Sequence, residues 1–362
     1  MSDTDKILDI YRGYDREKLA IATIGSHSAL QILNGAKAEG FKSIVLCKPE
    51  RVETYRRFGV ADKIITLNSY DEILEGGRVY EKLIAENAII VPHGSFISNV
   101  GTDKVEKRLT LPILGNRNIL RWDSDRTLER NWLLKAGIKM PKETKDPKDI
   151  DRLSIVKFPG ARGGRGYFLV ANYEDFVRKT AYQIDRGRIT GDDIREATIQ
   201  EYIPGVSMYL SYFYSPLKKE VELFGIDQRL EANIDGLTRI PALDQTNSYI
   251  EPSYVVVGNV PIVVRESLIP RIFEMGDSLV KVSKKLAPPG MMGPFCLETM
   301  VTHDLEFIAF EISARIVAGT NPFIGGSPYS YLTHGHGMSI GRRIARELKL
   351  ALEEDNEEVL IT

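Results

Sequence analysis

Between residues 19 and 114 the chain alternates short β-branched runs with longer stretches of helical character, and nothing else in it restricts the fold as much. The runs are KLAIATIG, FKSIVLCK, KIITLN, AIIVPHG and LPILGN; SALQILNGAKAEG and YDEILEGGRVYEKLIAE lie between them as helices. Strands and helices in turn predict a parallel, doubly wound sheet. Ligands of such sheets bind at the carboxyl ends of the strands. Two of those ends are polar here. One is Gly25-Ser26-His27-Ser28, at the start of a helix whose free amides favour an anion; the other is His93-Gly94-Ser95. Ser26 or Ser28 alone serves equally well as a helix cap, but two His/Ser ends in one sheet point to a polar ligand site.

From about residue 123 the pattern changes. DSDRTLERNWLLKAGIKMP predicts an amphipathic helix capped by Asp123 or Ser124 and ended by Pro141. Then come the strand SIVKF, a glycine-rich loop, the strand GYFLV, the helix YEDFVRKTAYQIDRG and the strand ATIQEYIPG. This order is antiparallel at the loop and predicts a small α+β lid. Further on, MYLSYFYS, EVELFGIDQRL, SYVVVGNVPIVV, MGPFCLETMV and LEFIAFEISARIV read as strands, and GMSIGRRIARELKLALEE as a helix. Its Arg342, Arg343, Arg346 and Lys349 read as a solvated face or an interface rather than a binding patch. The expected division is 1–122, 123–205 and 206–362.

The loop KFPGARGGRGYF, Lys157 to Phe168, admits three readings: a phosphate cradle, a nucleic-acid contact or a flexible hairpin. A net charge of −2 gives no basic field to recruit nucleic acid or an anionic membrane. A Walker loop needs Gly-Lys before Ser or Thr, which Gly164-Arg165-Gly166-Tyr167 lacks. The dinucleotide fingerprint needs a helix after the glycines, and here a strand follows. A hairpin tip bare of side chains at Gly160, Gly163, Gly164 and Gly166 remains, whose amides can close over phosphates. Lys157 adds a point charge in the preceding strand. Further on, Glu201-Tyr202-Ile203 ends a strand at Pro204-Gly205, leaving backbone groups for an adenine edge and Glu201 for a ribose hydroxyl or the adenine amine.

CLETMVTHDLEFIAFEIS predicts a β-hairpin turning at His303-Asp304. Val301 then faces Glu306 and Glu298 faces Ala309, so Glu311 is a diagonal neighbour of Glu298 on the same face. Ile308, Phe310 and Ile312 are expected to point to the core, leaving a polar face of Glu298, Glu311, Ser313 and Arg315. Hard oxygen ligands beside a phosphate cradle suggest Mg²⁺ bridging ATP; a structural Glu–Arg pair is the plainer alternative. The two cysteines, Cys47 and Cys296, sit in strand-like runs and fit no metal spacing, so they read as reduced core residues of a cytoplasmic protein. No run approaches the length of a membrane helix.

Lys157, the glycine loop, the Glu201 hinge and the late carboxylates occur in the order of the ATP-grasp superfamily. GSHSALQIL, VPHGSF, GNRNILRWDSDR, FPGARGGRGYF, GPFCLE and FEISARIVAGTN resemble, more narrowly, the archaeal formate-dependent 5-formaminoimidazole-4-carboxamide ribonucleotide (FAICAR) synthetases, the PurP family. The resemblance implies an α/β and α+β chain: an ATP-grasp fold preceded by a Rossmann-like parallel-sheet domain. It implies a ligase acting on ATP, formate and 5-aminoimidazole-4-carboxamide ribonucleotide (AICAR) through formyl phosphate, in a homo-oligomer without nucleic-acid or membrane partners. By the same resemblance His27, Ser95 and Asn259 bind AICAR. Lys157, Gly163, Gly164, Gly166, Glu201, Tyr202, Ile203, Tyr209 and Glu231 bind ATP, and Glu298 and Glu311 carry Mg²⁺ or Mn²⁺. Arg315 and Arg229 stabilise the acyl phosphate. The chain departs from the superfamily at Glu311-Ile312-Ser313, where Glu-x-Asn is usual, so a second metal site is not carried over. The usual second phosphate lysine is also missing, with Arg121 or Arg126 as its replacement.

Overall fold

The computed structural model describes residues 3–158, 167–247 and 255–362. Its first sheet is parallel, with β1 (Ala20–Ile24), β2 (Lys42–Cys47), β3 (Lys63–Thr66) and β4 (Ala88–Ile90) in the order β3-β2-β1-β4. Every residue of β1 is buried, as an all-parallel strand covered on both faces requires. Ala20, Ala22 and Ile24 face a core with Phe96, Val105 and Leu111, while Ile21 and Ile89 face another with Ile32, Ile340 and Ile344. The second face is thus covered by the helix Ala29–Ala38 together with the helix Ile340–Glu353. LPILGN forms no strand; Ile113 makes a single parallel bridge to Ile90, and Leu114 bridges Ile361. YDEILEGGRVYEKLIAE is not one helix. It breaks at Gly76, which has φ +77°, into a 3-10 turn at Tyr70–Ile73 and a helix at Tyr80–Ala85.

The second sheet is antiparallel: β5 (Glu143–Thr144), β6 (Ser154–Lys157), β7 (Phe168–Val170) and β8 (Thr198–Glu201), in the order β5-β8-β6-β7. Val156, Phe158, Phe168 and Ile199 pack against Phe176 of the helix Tyr173–Asp185. The third sheet holds β9 (Val206–Ser215), β10 (Glu220–Glu231), β11 (Val256–Ile262), β12 (Gly293–Val301) and β13 (Phe307–Ser313), in the order β11-β10-β9-β12-β13. Leu210, Tyr212, Ile226 and Leu297 form its core with the helix Ile269–Leu286. That helix is absent from the strand-dominated expectation, although Ile272, Met275, Gly276, Leu279, Val280 and Ser283 recur on one face at helical spacing.

The basic helix Ile340–Glu353 is an interface within the chain rather than a solvated face. Arg342 and Arg346 both pair with Glu39. Arg343 is 1% exposed between Glu222 and Glu347. A Cβ at Gly341 would overlap the backbone of Gln31, and one at Gly35 that of Gly341, so these glycines permit the two helices to touch.

Candidate active site

Cross-strand partners share a sheet face. On the third sheet Asp227 and Glu298 both partner Tyr209, Arg229 partners Asn259, and Glu298 partners Glu311. The β12–β13 register differs from the one expected. Val301 faces Phe307 and Thr299 faces Ala309, after which a bulge drops Phe310 from the ladder. The cause is the connection Thr302–Glu306, where Leu305 adopts φ +62° and Thr302 N–H donates to Glu306 O. The side-chain alternation changes with it. Phe307, Ala309 and Ile312 enter the core, while Phe310 turns edge-on to Tyr209 with ring centroids 6.2 Å apart.

Glu298 is 1% exposed. Arg229 pairs with its Oε1 and lies 4.0 Å over the Tyr209 ring; among the described residues Oε2 has no hydrogen-bond partner. Burial, and then the neighbouring Glu311, push the Glu298 carboxyl well above the usual carboxylate range, against Arg229 and Arg315. Two further carboxylates, not expected as site residues, reach the next turn of backbone. Glu129 Oε1 accepts from Ile312 N–H at 2.6 Å, and Asp123 Oδ2 accepts from Ala314 N–H at 2.7 Å. Burial raises both carboxyls, with Glu311 adding to it. Asp123 also accepts from Arg315 Nη2 at 3.4 Å. It caps no helix: it lies in the helix Ile119–Ser124, and Asp125 caps Arg126–Lys135. Glu129 had a sequence signal, an acid three and four residues before the buried Trp132 and Leu133 on the apolar stripe.

The polar strand ends of the first sheet meet the end of β13, since His93 bridges Ile316. His93 Nδ1 accepts from Ser95 N–H at 3.1 Å, so Nε2 carries the proton and donates to Ile24 O at 2.8 Å. His27, at φ +53°, stacks on His93 with centroids 5.6 Å apart and planes 4° from parallel. Burial holds His93 down to about 4, and burial plus His93, Arg315 and Arg229 hold His27 down to about 3. A Cβ at Gly94 would stand 3.2 Å from His27 Nε2 and 3.5 Å from Arg315 Cζ, so His27 and Arg315 both border the backbone at Gly94, the residue before Ser95. Asn259 lies further along the same sheet face, donating to Asp227 Oδ2 at 2.9 Å.

From the lid, Lys157 Nζ donates to Gln200 Oε1 at 2.6 Å and lies 5.8 Å over the Phe310 ring. Burial and Arg126 lower its pKa, with Glu311 and Glu129 opposing. Arg126 also donates to Tyr167 OH at 3.1 Å, whereas Arg121 turns away to Asp103 and Glu106. Of the two arginines, only Arg126 adjoins the site. Glu201 is occupied inside the lid, by Arg152 and by Lys142 N–H, both at 3.1 Å, and Tyr202 N–H donates to Leu153 O. Glu231, two residues beyond Arg229, receives no such cation; burial and Asp235 raise its carboxyl. Gly160, Gly163, Gly164 and Gly166, with Arg162 and Arg165, lie outside the described residues.

Among the described residues no third His, Cys, Asp or Glu completes a three-ligand metal set. The donors present still suit a hard cation, because Glu298 Oε2 is buried without a partner directly opposite Glu311. Such a pair matches an ion that takes its remaining ligands from phosphates and water.

A parallel sheet, an antiparallel lid that presents a lysine, and a five-stranded sheet with facing carboxylates define an ATP-grasp carbon–nitrogen ligase. Two family models match, described as a domain of unknown function (DUF1297) over residues 175–362 and a protein of unknown function (DUF1246) over 21–144. The 5-formaminoimidazole-4-carboxamide-1-(beta)-D-ribofuranosyl 5'-monophosphate synthetase of Methanothermobacter thermautotrophicus is 52% identical over 99% of this chain and 98% of its own. That of Methanocaldococcus jannaschii is 50% identical over the whole of both. A crystal structure of an IMP biosynthesis protein PurP from Thermococcus kodakaraensis superposes with a TM-score of 0.74 at 33% identity, covering 94% of this chain and all of that one. An ADP complex of purK, an N5-carboxyaminoimidazole ribonucleotide synthetase, shares the fold at TM-score 0.63 and 15% identity over 91% of this chain and 76% of its own. The chain belongs to the PurP family of formaminoimidazole carboxamide ribonucleotide synthetases.

Proposed function

We infer that this chain is an ATP- and formate-dependent ligase that converts AICAR to FAICAR, with ADP and phosphate as the other products, in IMP biosynthesis. Full-length identity of about half to relatives named for this product carries the reading. The cluster of Glu298, Glu311, Arg229 and Arg315 supports it, because a protein that only senses a nucleotide has less need of facing carboxylates.

The chemistry divides into two transfers. A formate oxygen attacks the γ-phosphorus of ATP and ADP leaves, giving formyl phosphate. The 5-amine of AICAR then attacks the formyl carbon, the bond from that carbon to the phosphate oxygen breaks, and the amine proton leaves with phosphate or solvent. Lys157 and the loop amides at Gly163, Gly164 and Gly166 would hold the ATP phosphates, with Arg126 as the second cation. The strand end Glu201-Tyr202-Ile203 would border the adenosine, along with Tyr209 and Glu231. Glu298 and Glu311 would hold Mg²⁺ or Mn²⁺, which offsets charge at the transferring phosphoryl group. Arg229 and Arg315 would stabilise the acyl phosphate. His27, Ser95 and Asn259 would bind AICAR, so that positioning supplies most of the second step.

A homo-oligomer and a cytoplasmic location belong to the same reading. The exposed Val256 and Val257 of the edge strand β11 support the first; the two free, buried cysteines support the second. ADP release with AICAR plus formate, set against acetate or bicarbonate, tests the activity. Release that does not depend on formate overturns it.

A further inference from the structure

Asp227 is a buried acid on this sheet face that the two transfers leave without a task. It is fully buried on β10, partnering Tyr209 across the ladder and lying two residues before Arg229. A Cβ at Gly319 would overlap its Oδ1, so the backbone at Gly319 closes the far side and the carboxylate cannot swing away. Among the described residues Oδ1 has no hydrogen-bond partner, and Oδ2 accepts from Asn259 Nδ2 at 2.9 Å.

That contact fixes which end of the Asn259 amide faces the site. An ionised carboxylate only accepts hydrogen bonds, so the amide must turn its NH₂ inward and its carbonyl oxygen outward. Burial pushes Asp227 up to about 6, with Asn259 and Arg229 opposing, which leaves it ionised at neutral pH. Asn259 itself is half-buried and partners Arg229, the cation paired with Glu298. The outward oxygen therefore stands near the transferring end of the cleft and rewards a hydrogen-bond donor there.

We propose that Asp227 is a positioning residue that locks the Asn259 amide with its oxygen toward the substrate, so that the site selects the donor-bearing amino-carboxamide edge and rejects a carboxylate at the same place. The proposal rests on the reading of AICAR as the substrate. An NH₂ group meets the Asn259 oxygen as a donor. A carboxylate meets it oxygen to oxygen, with the Asp227 charge behind.

Equilibrium binding separates the proposal from the reading it rests on. AICAR and its analogue bearing a 4-carboxylate in place of the carboxamide are titrated into the wild-type protein, Asp227→Leu and Asp227→Asn, with circular dichroism as the check on folding. Leucine matches the shape of aspartate and accepts nothing. The wild type is expected to favour the carboxamide at least tenfold, the scale of one hydrogen bond lost beside an unpaired partner. In Asp227→Leu that preference is expected to shrink to within about twofold, with the ATP KM unchanged, because no acceptor then holds the amide. If the leucine variant does not fold, the asparagine variant decides, since its amide no longer imposes one orientation and the preference is again expected to fall. A preference that persists in the folded variant overturns the proposal, as does a wild type that binds both ligands equally. Lack of formate-dependent ADP release by the wild type defeats the functional reading instead, and the binding ratios still decide the role of Asp227.

Discussion

Glu298 stands directly opposite Glu311 across β12 and β13, with Phe310 left out of the ladder between them. Facing carboxylates at that spacing repel unless a proton or a cation separates them. Glu311→Gln removes one of the pair and is expected to lower kcat by roughly 100-fold or more, as the loss of an electrostatic group at a transferring centre does. AICAR binding should be retained in part. Titration calorimetry alongside ADP release checks both halves, and unchanged turnover removes the metal assignment.

Lys157 reaches from the lid over the ring of Phe310, the neighbour of Glu311 in the chain, half-buried and held by Gln200. Lys157→Met is expected to raise the KM for ATP by roughly tenfold or more, since it removes a charge-assisted contact to phosphate. The KM for AICAR should stay within about twofold, because the contact removed is to the other substrate. Initial rates with each substrate varied in turn distinguish the two effects.

His93 predicts a pH dependence of stability. Its folded pKa is depressed from 6.5 to about 4, mainly by burial. Below 6.5 the unfolded chain takes up a proton that the folded chain refuses, so stability present at neutral pH drains away between 6.5 and 4. The loss is roughly 3 kcal/mol when complete. Urea denaturation across this window should show the slope, and His93→Gln, which titrates in neither state, should reduce it, leaving the share of His27, itself held down to about 3.

Arg343 lies between Glu222 and Glu347, with its guanidinium 4.4 Å over Phe213. Arg343→Met strands two buried carboxylates and is expected to destabilise the fold by roughly 3–5 kcal/mol. Chemical denaturation measures this, and a variant as stable as the wild type contradicts the assigned role.

The parallel sheet was legible because strands buried on both faces must be continuous apolar runs, as AIATI and SIVLC are. The pairing of Glu298 with Glu311 was legible only as nearness. Counting from the turn assumes an unbroken ladder, and the bulge depends on where Phe310 finds room against Tyr209, which no local pattern encodes. Asp123 and Glu129 stayed hidden for a related reason. An acid near a helix start reads as a cap, and an acid within a helix reads as solvated, until the strand carrying Glu311 is seen to lend them its amides. Arg343 reads as a solvated face or an interface with nothing to decide between them, because its partner Glu222 lies on a distant strand. The helix Ile269–Leu286 was a different case, since its apolar spacing was present in the sequence and its residues were passed over among the strands.

The glycine contact between the helices Ala29–Ala38 and Ile340–Glu353 bears on how the molecule is made. Gly341 N–H donates to Gln31 Oε1, a residue 310 positions earlier. While the polypeptide leaves the ribosome, Ile21, Ile32 and Ile89 therefore lack the cover of the helix Ile340–Glu353 for roughly 15–60 s, at synthesis rates of about 5–20 residues per second. During that interval the nascent first sheet presents an oily surface to the cell, and a chaperone that shields such surfaces has its longest opportunity there.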